Sequence, residues 1–144
     1  MLKNVPKLLS PQLLKVLCEM GHGDEIVIAD GNFPSESMGA NGVVVRADGL
    51  PATALLDAIL TVLPLDAYVE KPVALMAVVP GDPCKPDVWD EYKAATAKHG
   101  EDPERIEMME RFAFYERAKK AYAVVATGEE RIYANILLKK GVVK

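Results

Sequence analysis

Residues 17–34, LCEMGHGDEIVIADGNFP, decide the fold and bracket the candidate chemistry. The stretch reads as a helix end, a tight turn carrying His22, a short apolar strand and a loop opened by Asp30. Ile26, Val27 and Ile28 follow one another with no polar break, the pattern of a strand buried on both faces, as in an α/β sheet. His22 lies before that strand and Asp30 after it. At roughly 3.3 Å per strand residue, a straight run keeps them too far apart to touch. They serve one site only if the turn folds back or a second subunit supplies one of them.

His22 sits between Gly21 and Gly23, with Asp24 next. Glycine permits positive φ and close backbone approach, and an imidazole gives and takes protons near neutral pH. The competing reading is structural. Gly21 suits the residue that ends a helix, and a histidine there interacts with the helix dipole. Spacing alone favours this second reading somewhat.

Outward from this stretch, Ser10-Pro11 opens the first helix as N-cap and first-turn proline. Leu13, Leu14, Leu17 and Met20 recur at helical spacing, with Cys18 expected in the core beside them. Downstream, residues 31–42 form a long polar, glycine-rich loop, and 43–45 a second short strand. Arg46 and Asp48 are a site pair or, more simply, a turn pair. Residues 51–63 predict a second amphipathic helix, 73–79 another apolar strand, and Pro80-Gly81-Asp82-Pro83 a turn. A third helix spans 86–99, with acidic residues at its start and Gly100 at its stop. His99 is a helix-end residue. Residues 106–109 suggest a strand, 111–120 a helix, 121–127 a strand and 132–138 a last strand. The last two are close enough for an antiparallel hairpin. Alternating strands and helices predict a single three-layer α/β/α domain, residues 1–144, with a mixed, mostly parallel sheet.

The whole chain narrows the function classes. Its 144 residues suffice for one real core. A net charge of -4 with dispersed lysines and arginines offers no basic stripe for nucleic acid. No apolar run is long enough to cross a bilayer, and residues 1–10 are too short and broken for a signal peptide. Two cysteines, Cys18 and Cys84, lack metal or redox spacing and fit a reducing cytoplasm.

Taken together, LLKVLCEMGHGDEIVIAD with the following NFP, RADGL at 46–50, RFAFYERAKKA at 111–121 and YANILLKKGV at 133–142 resemble the L-fucose mutarotase branch of the D-ribose pyranase family. The resemblance runs in order over nearly the full length. Ala134 stands where the fucose branch usually has glycine and the ribose branch tends to have alanine, whereas RFAFYERA favours the fucose branch. The resemblance implies an enzyme that interconverts the anomers of a free sugar, L-fucose first and D-ribose as the alternative, without metal or organic cofactor. It maps the catalytic histidine onto His22, sugar contacts onto Asp30, Arg111, Tyr133, Ala134 and Asn135, and the assembly onto a ring-like homo-oligomer, typically a decamer. Tyr115 is a further candidate contact. In this scheme Asp30 orients His22 or accepts sugar hydroxyls, and Tyr133 donates a hydrogen bond or shields one sugar face. The pocket for the C6 methyl draws on Phe33, Met38 or Tyr133. Other classes stay open: sugar binding without turnover, a phosphoryl-carrier role for His22, and a metal site from His22, Asp24 and Asp30. The carrier role is the weaker for lacking a phosphate-cradling loop at a helix start.

Overall fold

A computed structural model describes residues 1–144. The elements run α1 (Pro11–Glu19), β1 (Glu25–Ala29), α2 (Ser35–Met38), β2 (Val43–Ala47), α3 (Ala52–Leu60), β3 (Val73–Met76), α4 (Val88–Lys98), β4 (Ile106–Met109), α5 (Arg111–Ala118), β5 (Ala123–Thr127) and β6 (Ile136–Lys139). The six strands form one sheet in the order β2-β5-β1-β6-β3-β4. All pairings are parallel except those of β6, which runs against both β1 and β3.

Alternation along the strands divides the core between two faces. Ile26, Ile28, Val45, Val73, Leu75, Val125, Ile136 and Leu138 face the larger cluster, which α1, α3 and α4 cover. Val27, Ala29, Ala74, Met76, Val124 and Leu137 face the smaller one, covered by Phe114 and Ala118 of α5 with Met38 of α2 beside them. The result is the expected α/β/α arrangement with a mixed, mostly parallel sheet.

Several local expectations need correction. The last two strands form no hairpin. β5 already has parallel partners on both edges, β1 and β2, so β6 is carried past β1 and fills the gap before β3. The polar loop after Asp30 contains a one-turn helix, α2, closed by the Gly39 N–H to the Ser35 carbonyl at 2.8 Å. Cys18 is exposed rather than core, because Leu13, Val16, Leu17 and Met20 already supply the inward stripe. Gly21 is not the left-handed cap of α1. The helix ends with Met20 in an extended conformation, and Lys140 Nζ reaches the Leu17 carbonyl at 3.1 Å and also the Met20 carbonyl, satisfying helix-end acceptors. The positive φ of the turn, 86°, falls at Gly23 instead.

Candidate active site

The strand ends define where a ligand can bind. In open α/β sheets, ligands occupy the crevice outside the carboxyl ends of the strands, where the strand order reverses. Here connections leave β1 toward β5 and β2 on one side, and β3 toward β4 on the other. Between those halves lies an open cleft of about 260 Å³. Its walls come from the ends of β1 (Asp30, Asn32, Phe33) and β3 (Met76, Val79, Asp82), the start of α5 (Arg111, Tyr115) and the approach to β6 (Ile132, Tyr133, Asn135).

Asp30 is the buried anchor of this cleft, only 5% exposed. Asn135 Oδ1 accepts the Asp30 N–H at 2.8 Å, and Asn135 Nδ2 donates to Asp30 Oδ2 at 3.0 Å. Asp30 Oδ1 accepts the Asn32 N–H at 3.0 Å. The antiparallel register, with Ile28 opposite Ile136, is what brings these two side chains together. Burial raises the Asp30 pKa, and hydrogen bonds from Asn32, Ala134, Phe33 and Asn135 only partly oppose that rise.

Arg111 and Tyr115 share one face of α5, four residues apart, and Arg111 Nε donates to the Tyr115 hydroxyl at 3.1 Å. The helix begins at Arg111 because the Glu110 carboxylate accepts the Phe112 and Ala113 N–H groups at 2.9 and 3.0 Å. Tyr115 also meets the Phe33 ring edge-on, with centroids 5.5 Å apart. α5 is tied to the sheet by Arg117, which bonds Glu25 of β1 at 2.8 Å and also pairs with Glu107 of β4.

Tyr133 takes a left-handed φ of 57°, which is uncommon outside glycine. Three hydrogen bonds hold it there. Trp89 Nε1 donates to its carbonyl at 2.8 Å, its hydroxyl donates to Asp82 Oδ2 at 2.7 Å, and the Val79 N–H donates to its hydroxyl oxygen at 3.3 Å. The hydroxyl proton of Tyr133, expected to reach a sugar, is given to Asp82 Oδ2 here. Ala134 is fully buried and does not line the cleft; its carbonyl accepts the Tyr92 hydroxyl at 2.7 Å. Met38 packs on the smaller core cluster and is not part of the lining, whereas Phe33 is.

His22 is not in this cleft. Its turn lies beside the far end of β6, where the Gly23 N–H donates to the Lys140 carbonyl at 2.9 Å. Its side chain is 47% exposed, and its ring stands 5.4 Å from that of Tyr68. Its Nε2 lies 3.1 Å from Oδ1 of Asp66, a residue only 3% exposed. An ionised carboxylate only accepts, so Nε2 carries the proton and Nδ1 is left free. The Tyr68 N–H and, more weakly, His22 lower the Asp66 pKa against its burial, which keeps it ionised. Asp66 therefore does the orienting expected of Asp30, which sits at the opposite end of β1. The five residues of β1 keep its two ends about 13 Å apart at strand rise.

Nor do His22, Asp24 and Asp30 converge. Asp24 Oδ2 accepts the Gly21 N–H at 2.7 Å, and no three His, Cys, Asp or Glu side chains are grouped to hold a metal. Arg46 pairs with Asp48 and, at 3.1 Å, with Glu36 on the exposed rim, the turn arrangement. Asp66 and Asp82 were not legible as site residues: each sits in a segment that reads only as a linker or a turn.

The RbsD / FucU transport protein family model matches residues 3–143. The chain belongs to this family. The L-fucose mutarotase of Actinobacillus pleuropneumoniae serotype 5b is 51% identical over 142 residues, covering 99% of this chain and 97% of that one. Among solved structures, FucU from Bifidobacterium longum superposes with a TM-score of 0.96 at 56% identity, over 99% of this chain and 100% of that one. The fucose mutarotase of Streptococcus pneumoniae, solved in complex with L-fucose, gives 0.94 at 52% identity over the same shares. Both solved structures therefore share this fold over nearly the whole chain. No helix here is long and apolar enough to cross a membrane.

Proposed function

We propose that the protein interconverts the α and β anomers of L-fucose, with the cleft holding the sugar and His22 of a neighbouring copy moving the proton. The observation that carries this reading is the division of the site. Asp30, Asn135, Arg111 and Tyr115 converge on a cleft at one end of the sheet, and a solvent-accessible imidazole bonded to Asp66 stands at the other. In a protein about half identical, over nearly its whole length, to named fucose mutarotases, the two halves are complementary parts of one site.

In this reading Asp30 and Asn135 take sugar hydroxyls by hydrogen bonds, Arg111 donates to others, and Tyr115 helps hold Arg111. The apolar wall of Phe33, Met76, Val79 and Ile132 fits the C6 methyl that distinguishes fucose from galactose. His22, held by Asp66 through Nε2, takes a proton from water at Nδ1 and passes it to the ring oxygen as the C1–O5 bond breaks, while the anomeric hydroxyl gives its proton back to water in the open cleft. The free aldehyde turns about the C1–C2 bond, and reclosure reverses both transfers. Asp66 steadies the tautomer and the imidazolium, the role a carboxylate plays behind a catalytic histidine. No covalent intermediate is required, and the compartment proposed is the cytoplasm.

Contact between the His22 end of one copy and the cleft end of the next is heterologous, and a heterologous contact closes into a ring or grows into a filament. This supports a ring-like homo-oligomer, proposed as a decamer. Exposed apolar residues such as Leu2, Tyr68, Phe112 and Val143 are available to pack between copies.

The test is anomer exchange by saturation-transfer NMR on His22→Gln. Exchange should fall by about 10²–10⁴-fold while fucose affinity stays close to that of the unmodified protein. Near-native exchange in a folded, assembled variant would remove His22 from the chemistry. Sugar binding with no exchange in the unmodified protein would leave only a binding role.

A further inference from the structure

The loop between β3 and α4 brings one side chain to the cleft that the proposed chemistry has not used. Asp82 is exposed, but both of its carboxylate oxygens are engaged. Oδ1 accepts the Cys84 N–H at 2.9 Å, a side-chain turn that shapes the loop itself. Oδ2 accepts the Tyr133 hydroxyl at 2.7 Å. The same phenol oxygen accepts the Val79 N–H at 3.3 Å. A phenol has one proton and two acceptor sites. With the proton given to Asp82 and one acceptor site facing Val79, what remains toward the cleft is a lone pair. The Trp89 bond to its carbonyl holds the Tyr133 backbone in the left-handed conformation from which the phenol meets Asp82.

We propose that Asp82 is a positioning residue of the sugar site: by taking the Tyr133 proton it presents the phenol to the cleft as a hydrogen-bond acceptor, selecting a substrate hydroxyl that donates to it. This rests on the reading of the cleft as the sugar site. It assigns Tyr133 the opposite polarity from Arg111, which can only donate. A polyol, whose hydroxyls both give and take protons, meets one fixed donor and one fixed acceptor across the cleft. That pairing restricts how the ring can sit.

The test is a double-mutant cycle on fucose affinity and on exchange rate at saturating sugar, using Asp82→Ala, Tyr133→Phe and the pair. Asp82→Ala should weaken fucose binding by roughly 3- to 10-fold, the worth of one hydrogen bond, and change saturated exchange by less than about twofold. In the Tyr133→Phe background the same substitution should change affinity by less than about twofold, since its effect is transmitted through the lost hydroxyl. Asp82→Asn, which keeps the side-chain shape but cannot accept at both positions, supplies a second variant should alanine unfold the loop. It should weaken binding in the same direction. An Asp82 effect that persists at full size without the phenol hydroxyl overturns the proposal and makes Asp82 a direct sugar contact. An Asp82→Ala protein with native affinity overturns it outright. Failure of the unmodified protein to bind fucose is a separate outcome, seen before any variant is made, and takes down the underlying reading with it.

Discussion

Burial raises the pKa of Asp30, and the sign of that shift fixes what pH does to the cleft. A carboxyl with a raised native pKa holds its proton more tightly folded than unfolded, so it contributes stability at low pH that is lost as pH rises through the native value. Ligand binding runs the other way. Only the ionised form accepts two sugar hydroxyls, so fucose affinity should be lost as pH falls through a value above the ordinary aspartate range. Measured in a His22→Gln background, affinity should decline toward low pH. In the same background Asp30→Asn should bind weakly and show a flat profile; parallel profiles with and without Asp30 would contradict the assignment. At this scale a local signal or a family pattern pointed to Asp30, Arg111 and Tyr133, and all three line the cleft. The sequence was silent on Asp66 and Asp82. A carboxylate in a linker or a Pro-Gly-Asp-Pro turn reveals its partner only when a residue 44 or 51 positions away arrives beside it.

Among the elements, α5 carries two of the cleft's side chains and is held by charge as well as packing. Arg117 joins Glu25 of β1 and Glu107 of β4, and its side chain is 20% exposed. Removing the cation leaves Glu25 with Lys139 at 3.4 Å as its remaining partner and Glu107 without its own, in a partly buried setting. Arg117→Met should lower stability by about 2 kcal/mol, less than for a fully buried pair because solvent screens part of the loss, and should loosen fucose binding through Arg111 and Tyr115. Chemical denaturation alongside fucose titration checks both; an unchanged midpoint would show that apolar contacts of Phe114 and Ala118 alone hold the helix. Four of the five helices and all six strands were expected from the sequence, while the one-turn α2 lay in what reads as a polar loop. The placement of β6 was not expected. Nearness in sequence to β5 suggests a hairpin, yet Ile136, Leu137 and Leu138 are all fully buried. An unbroken apolar run of that kind, like that of β1, is the mark of a strand flanked on both sides, and here it is the strand that delivers Asn135 to Asp30.

The whole molecule places His22 and the cleft at opposite ends of the sheet's strands, His22 in a turn tied to Lys140 and the cleft around Asp30 and Asn135. The sequence already posed this as a choice between a folded-back turn and a second subunit. The structure removes the first option, because the turn at His22 is tied to Lys140 and Asp66, away from the cleft. What no local pattern encodes is the geometry between copies, which depends on surface shape summed over many elements. Complementation between two variants that are each inactive tests the account most directly. Copies carrying His22→Gln keep an intact cleft, and copies carrying Arg111→Ala keep an intact imidazole. When the two are co-expressed in equal amounts and purified as mixed oligomers, about one quarter of the contacts should pair a good cleft with a good histidine. Fucose anomer exchange should then return to about that fraction of the unmodified level. Mixed oligomers as inactive as either parent would contradict the shared site.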